Sequence, residues 1–203
     1  MVRIGISVEG LTEELFVKQV LFPHFFERGI SVTPIQVGGN VSVDRIGKEL
    51  TRLTRSFNYV TTLYDFYGFK RKTDSETKGS LEERIAKSIK TDYQDVLIPY
   101  VQMYEFEGLL FSSPSAIASV LQDEGLESWA GSVLAQFDND PEMINDSRET
   151  VPSKRLIDQS SYRKKTHGPA IAAHIGLESL REKCAGFGDW ITRLEGLVHG
   201  PGK

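Results

Sequence analysis

Apolar and polar positions along this chain fall into two alternating registers. Residues 2–8 form a β-branched, apolar run closed by Glu9-Gly10, which predicts a buried strand. Thr12 offers an N-cap, with Glu13 and Glu14 in the first turn, where negative charge is favoured. Leu15, Phe16 and Val20 continue that helix toward a kink or stop at Phe22-Pro23. A second strand is predicted over 31–37, a turn at Gly38-Gly39-Asn40, and a helix over 44–57 with Ile46, Leu50 and Leu53 on one face. Residues 59–65 read as a third strand ending in Asp65. A polar loop over 70–79, an amphipathic helix over 81–89 and a fourth strand over 96–104, interrupted early by Pro99, come next. From Glu107 the period is helical, over 108–121, 126–137, 177–184 and 190–197, with a polar, basic connection over about 138–168.

This alternation predicts an α/β fold, a mostly parallel four-stranded sheet flanked by helices. Residues 1–112 would form the core and 113–203 a mainly helical C-terminal extension packed on it. In such a sheet the ligand site lies beyond the carboxyl ends of the strands. Three predicted strands end there in acid: Glu9 after the first, Asp65 at the third, Glu105 and Glu107 after the fourth. Glu13, one turn beyond Glu9, leans back toward the same place, although Glu13 and Glu14 are also what any helix N-terminus favours. Clustered carboxylates repel unless something positive joins them, and hard oxygen donors suit Mg²⁺ or Mn²⁺. Such ions activate water and stabilise a phosphoryl transition state.

Composition and charge narrow the alternatives. The 203 residues carry a formal net charge of -4, which argues against a protein that simply coats a polyanion. The charge is uneven, however: residues 148–165 hold six basic residues (Arg148, Lys154, Arg155, Arg163, Lys164, Lys165) against two acidic ones. That stretch reads either as a phosphate-backbone contact or as a solvated loop. One cysteine, Cys184, excludes an internal disulfide and a cysteine-rich zinc site, and its apolar neighbours make it a core residue. The histidines show no zincin spacing, and no GxGxxG or Walker A sequence is present. No apolar run approaches a membrane span and the N-terminus is not a signal peptide, so a cytoplasmic location is expected.

The stretch Val8-Glu9-Gly10-x-Thr12-Glu13 resembles the opening motif of Toprim domains, which occur in topoisomerases, primases and OLD-family nucleases; the EGxTE form is most similar to the OLD-like group. LYDFYGF, QMYEFEGLLF, PEMIND, VPSKR and CAGFGDWITRL resemble a Toprim-related bacterial family of unknown function. Its members are often encoded near ATPases in phage-defence or mobile loci. The resemblance implies a Toprim-like sheet, a divalent-metal site and metal-dependent nuclease activity on DNA or RNA, with an AAA/ABC-type ATPase as a partner. Glu9 matches the strand-one glutamate, a metal ligand or general acid/base; Glu13 matches the helix acid; Asp65 matches the first aspartate of the Toprim DxD. The second aspartate is missing, because Asp65-Phe66-Tyr67 ends in tyrosine. Either Glu105 or Glu107 supplies that ligand, or only one metal binds well. Lys154 is a looser match to the late lysine of OLD-like enzymes, and Arg155, Arg163, Lys164 and Lys165 would join it on nucleic acid. The rival reading is a degenerate module that docks an ATPase and cuts nothing.

Overall fold

β1 (Val2–Val8) is central because both its faces are buried from Ile4 to Val8 and both its edges are paired. It runs parallel to β2 (Ile30–Gln36) on one side and to β3 (Tyr59–Asp65) on the other. Two two-residue strands, β4 (Leu97–Ile98) and β5 (Val101–Gln102), extend β3, also in parallel, and complete a sheet of order β2-β1-β3-β4 with β5 on β3. The computed structural model describes residues 1–39, 41–73, 75–145 and 150–199. Asn40 of the expected turn, Asp146 of PEMIND and Arg148 of the basic stretch lie outside the described residues.

Side chains alternate across each strand, so the sheet carries two cores. Ile4, Ile6, Val8 and Leu63 point into one, with α1 (Leu11–Phe16), α2 (Phe22–Glu27) and the later helices; Val60 and Tyr64 point into the other, with α3 (Val43–Leu53) and α4 (Lys78–Lys87). The expected face of α3, Ile46, Leu50 and Leu53, is buried there. The remaining helices are α5 (Pro114–Leu121), α6 (Gly125–Ala135), α7 (Pro152–Gln159), α8 (Lys164–Ile175), α9 (Leu177–Lys183) and α10 (Ala185–Glu195). α10 docks through Trp190, whose ring stacks on Tyr100 at 4.6 Å and whose indole N–H donates to Thr61 Oγ1 at 2.8 Å. Cys184 is buried in the same core.

Five local expectations need correction. Gly10, not Thr12, is the N-cap of α1; Thr12 is buried, and Glu13 reaches back to the Gly10 N–H at 2.9 Å. Pro23 does not stop its helix. The preceding turn, Val17–Leu21, widens so that the Phe22 N–H reaches the Val17 carbonyl, and α2 then continues to Glu27. The fourth strand is broken at Pro99-Tyr100. Thr62 Oγ1 replaces the ladder there, donating to the Tyr100 carbonyl at 2.7 Å and accepting the Tyr100 N–H at 2.8 Å. The basic connection is partly helical, holding α7 and the start of α8, and the segment after Glu105 is a tight 3₁₀ coil, Phe106–Ser112, that precedes α5. Among the described residues, no helix is long and apolar enough to cross a membrane.

Candidate functional site

The strand order places a topological switch between β1 and β3. From β1 the chain moves to β2 on one side, then crosses back to β3 on the other. Crossovers diverge at such a point and leave a crevice beyond the carboxyl ends. Val8 is level with Leu63, so Glu9 and Asp65 emerge side by side at that crevice, and Asp65 is in turn level with Gln102, three residues before Glu105.

Each acid is held there by a local device. Gly68 leaves space for Glu9: a Cβ on Gly68 would lie 2.3 Å from Glu9 Oε2. Glu13 is tied to the Gly10 N–H. Asp65 Oδ1 accepts the Phe106 N–H at 2.7 Å, which pins the start of the 3₁₀ coil to the end of β3. Glu105 Oε2 accepts the Ser153 N–H at 3.0 Å, in the first turn of α7. Glu107 is buried, accepts the Tyr162 hydroxyl at 3.2 Å and pairs with Lys164 at 3.4 Å. Gly168 lets α8 close against this group, since a Cβ there would be 2.9 Å from the Tyr162 hydroxyl and 3.2 Å from Thr12 Cγ2.

The acids feel one another. Burial, then Glu13 and Glu105, raise the pKa of Glu9, with Lys164 and Lys72 opposing. Burial raises Glu13 against its backbone hydrogen bonds. Asp65 is recessed, and burial followed by Glu13, Glu107, Glu9 and Glu105 holds it well above its ordinary value. Burial lifts Glu107 to about 7, with Lys164 pulling it down and Glu105 pushing it up. Burial alone would lower Lys164, but Glu107, Glu105 and Asp65 outweigh it and raise its pKa. Lys164 is therefore the ammonium that offsets a carboxylate cluster around the switch point.

A match over residues 8–195 to the family described as domain of unknown function (DUF4276) covers most of the chain. The chain belongs to the DUF4276 family. Two solved structures, both of the C-terminal region of the OLD protein of Xanthomonas campestris pv. campestris, are similar to it. One is 16% identical with a TM-score of 0.44, the other 17% identical with 0.42, and each alignment covers 97% of both chains. No curated protein matches.

In this DUF4276 chain, then, the five sequence-predicted acids converge. Among the described residues, no three His, Cys, Asp or Glu are arranged to hold a metal ion as they stand. The basic residues divide. Lys164 enters the cluster, and Lys154 lines a cavity of about 550 Å³ together with Glu105, Tyr67 and Lys72. Arg155 instead faces the Phe137 ring and donates to the Thr150 carbonyl at 2.6 Å. Arg163 and Lys165 are exposed at the start of α8. Sequence reasoning assigned Lys164 to phosphate alone and missed Tyr162, Lys72, Gly68 and the Ser153 N–H. The partners of Tyr162, Gly68 and the Ser153 N–H lie between 48 and 59 positions away, so the only sequence signal was Tyr162 two positions before Lys164 in an otherwise polar run.

Proposed function

We propose that the carboxylate cluster is a divalent-metal-dependent phosphodiesterase site that cuts DNA or RNA. The observation that carries this reading is the convergence of Glu9, Glu13, Asp65, Glu105 and Glu107 on the switch-point crevice, where burial first and neighbouring acids second raise the pKa values of Glu9 and Asp65, and Glu107 is raised by burial with Glu105 adding. A folded core has no use for such repulsion, whereas a dication relieves it. The donor set is all oxygen and anionic, which fits Mg²⁺ or Mn²⁺. Glu9, Asp65 and one of Glu105 and Glu107 would hold the ion. Such an ion supplies an activated water and neutralises charge on a phosphoryl group. Lys164, already among the acids, would meet the charge that builds on the phosphate, and Lys154 and Lys72 would hold the neighbouring strand in the cavity. Glu13 would orient Glu9 through the Gly10 turn. The Toprim assignment, phage defence and an ATPase partner belong to the same proposal.

A second reading, a binding module without chemistry, draws on Tyr67, which stands where the DxD pattern requires aspartate and accepts a hydrogen bond from Asn145. One assay separates the two. Purified protein is incubated with plasmid or RNA and Mg²⁺ or Mn²⁺, beside Glu9→Gln and Asp65→Asn. The nuclease reading expects metal-dependent cleavage that both substitutions abolish. Metal binding without cleavage would favour the module.

A further inference from the structure

The cavity beside Glu105 does not end at Lys72. Its wall contains Lys70 and Arg71, and these two residues also line a second concavity of about 500 Å³ with Ser42, Asp44, Arg45 and Lys48. The two hollows therefore share a wall, and together they make a two-part channel from the carboxylate site, over the loop that follows β3, to the first turns of α3. Six cations border it: Lys154, Lys72, Arg71, Lys70, Lys48 and Arg45. They come from three distant segments of a chain whose net charge is -4. Among the described residues that line these walls, two are carboxylates, Glu105 at the catalytic end and the exposed Asp44.

The cations are available in different ways. Arg45 is fixed in place by donating to the Gly39 carbonyl at 2.6 Å and the Val37 carbonyl at 2.7 Å, which orients its guanidinium without cancelling its charge. Lys72 donates to the Phe66 carbonyl and lies over the Phe66 ring at 4.5 Å. Lys48, Lys70 and Arg71 are exposed, and among the described residues none of them forms an ion pair. Elsewhere on this surface cations are matched by acids: Lys18 with Glu14, Arg52 with Glu49, Arg84 with Glu76, Lys87 with Glu83. Lys48, Lys70 and Arg71, exposed and in no ion pair among the described residues, are the members of this row that offer their charge to a chain of phosphates.

We infer that the channel from Lys154 through Lys70 and Arg71 to Lys48 and Arg45 binds the phosphate backbone of a nucleic-acid strand on its way out of the carboxylate site. The inference rests on the phosphodiester reading above and deepens it: the substrate is an extended strand held on the α3 side, rather than a mononucleotide or a strand running along α8. Recognition is by backbone charge, so it carries no base preference.

The test measures binding without metal, so that it does not depend on cleavage. Fluorescence anisotropy in EDTA follows a labelled oligonucleotide of about 20 nucleotides, single-stranded or duplex, across a salt series. The variant Lys48→Gln/Lys70→Gln/Arg71→Gln should lose at least about tenfold in affinity, and its salt slope should fall by about 2, the share of three phosphate contacts on a single strand. A control with the same charge change elsewhere, Lys18→Gln/Lys87→Gln/Lys183→Gln, should stay within about threefold of the unaltered protein. Glu9→Gln should bind at least as well as the unaltered protein. Whichever form binds more tightly identifies the strand the channel takes. Equal losses in variant and control, a loss confined instead to Arg163→Gln/Lys165→Gln on α8, or no binding of either oligonucleotide would each overturn the channel. Binding that depends on the channel, with no cleavage when Mn²⁺ is added, would leave the channel standing and sink the phosphodiesterase reading alone.

Discussion

Glu107 has two partners, Tyr162 and Lys164, and its carboxyl still sits at about 7, because burial outweighs both. The consequence for stability has a definite sign. A carboxyl whose pKa is higher in the folded chain than its ordinary 4.5 binds more protons folded than unfolded. Its contribution is therefore fully present below about pH 4.5 and is lost as pH rises to about 7. The span corresponds to up to about 3 kcal/mol. Glu107→Gln keeps an oxygen for Tyr162 and removes the charge, so it should raise the metal-free melting temperature by several degrees at pH 8 and leave it nearly unchanged at pH 4.5. Equal effects at both pH values in a thermal scan would contradict this. Gly68 makes a complementary case. In Gly68→Ala the new Cβ meets the mobile end of Glu9, so the carboxylate moves while the backbone stays. The expected result is Mn²⁺ affinity at least about tenfold weaker, by calorimetric titration, with stability changed by less than about 1 kcal/mol. The five acids were legible in the sequence because each one punctuates an apolar run. Tyr162, Lys72 and Gly68 were not, because nothing local distinguishes a tyrosine, lysine or glycine whose partner is fixed only by the fold.

At the scale of elements, legibility followed burial. β1 and β3 are buried along most of their length, so their β-branched runs stand out, and Glu9 and Asp65 could be placed at one sheet edge. The fourth strand obeyed the same pattern but could not reveal that Thr62 would stand in for its ladder at Pro99-Tyr100. α7 and α8 were invisible for the opposite reason. α7 buries only Pro152, Ser153 and Leu156, and α8 carries Gly168 and Pro169 in its middle, residues that ordinarily mark a loop. Gly168 is there because α1 and α8 approach so closely. Gly168→Ala would drive a methyl against Tyr162, Thr12 and Phe106 in a filled core. It should cost about 1–3 kcal/mol in urea unfolding, despite alanine's better helix propensity. A gain in stability would mean that the α1–α8 contact is looser than these distances indicate.

Across the whole molecule, charge is sorted rather than balanced. Acid collects at the carboxyl edge of the sheet, cations line the channel beside it, and several surface charges are paired across one turn of helix. Such sorting leaves the metal-free fold carrying an electrostatic load at one point, which an ion binding the folded state would remove. Saturating Mg²⁺ or Mn²⁺, at about a hundred times its dissociation constant, should stabilise the protein by about 2.7 kcal/mol. For a chain of this size that is a rise of roughly 5–10 °C in melting temperature. Protons compete for the same oxygens, and with Glu107 near 7 and Asp65 well above its ordinary value the competition extends to neutral pH. The metal-induced shift should therefore be large at pH 8 and shrink steadily toward pH 5.5. Glu9→Gln should remove it at every pH while leaving the metal-free protein as stable or slightly more so, because one member of a repelling group is gone. A shift that is independent of pH, or one that survives Glu9→Gln undiminished, would locate the ion away from these carboxylates.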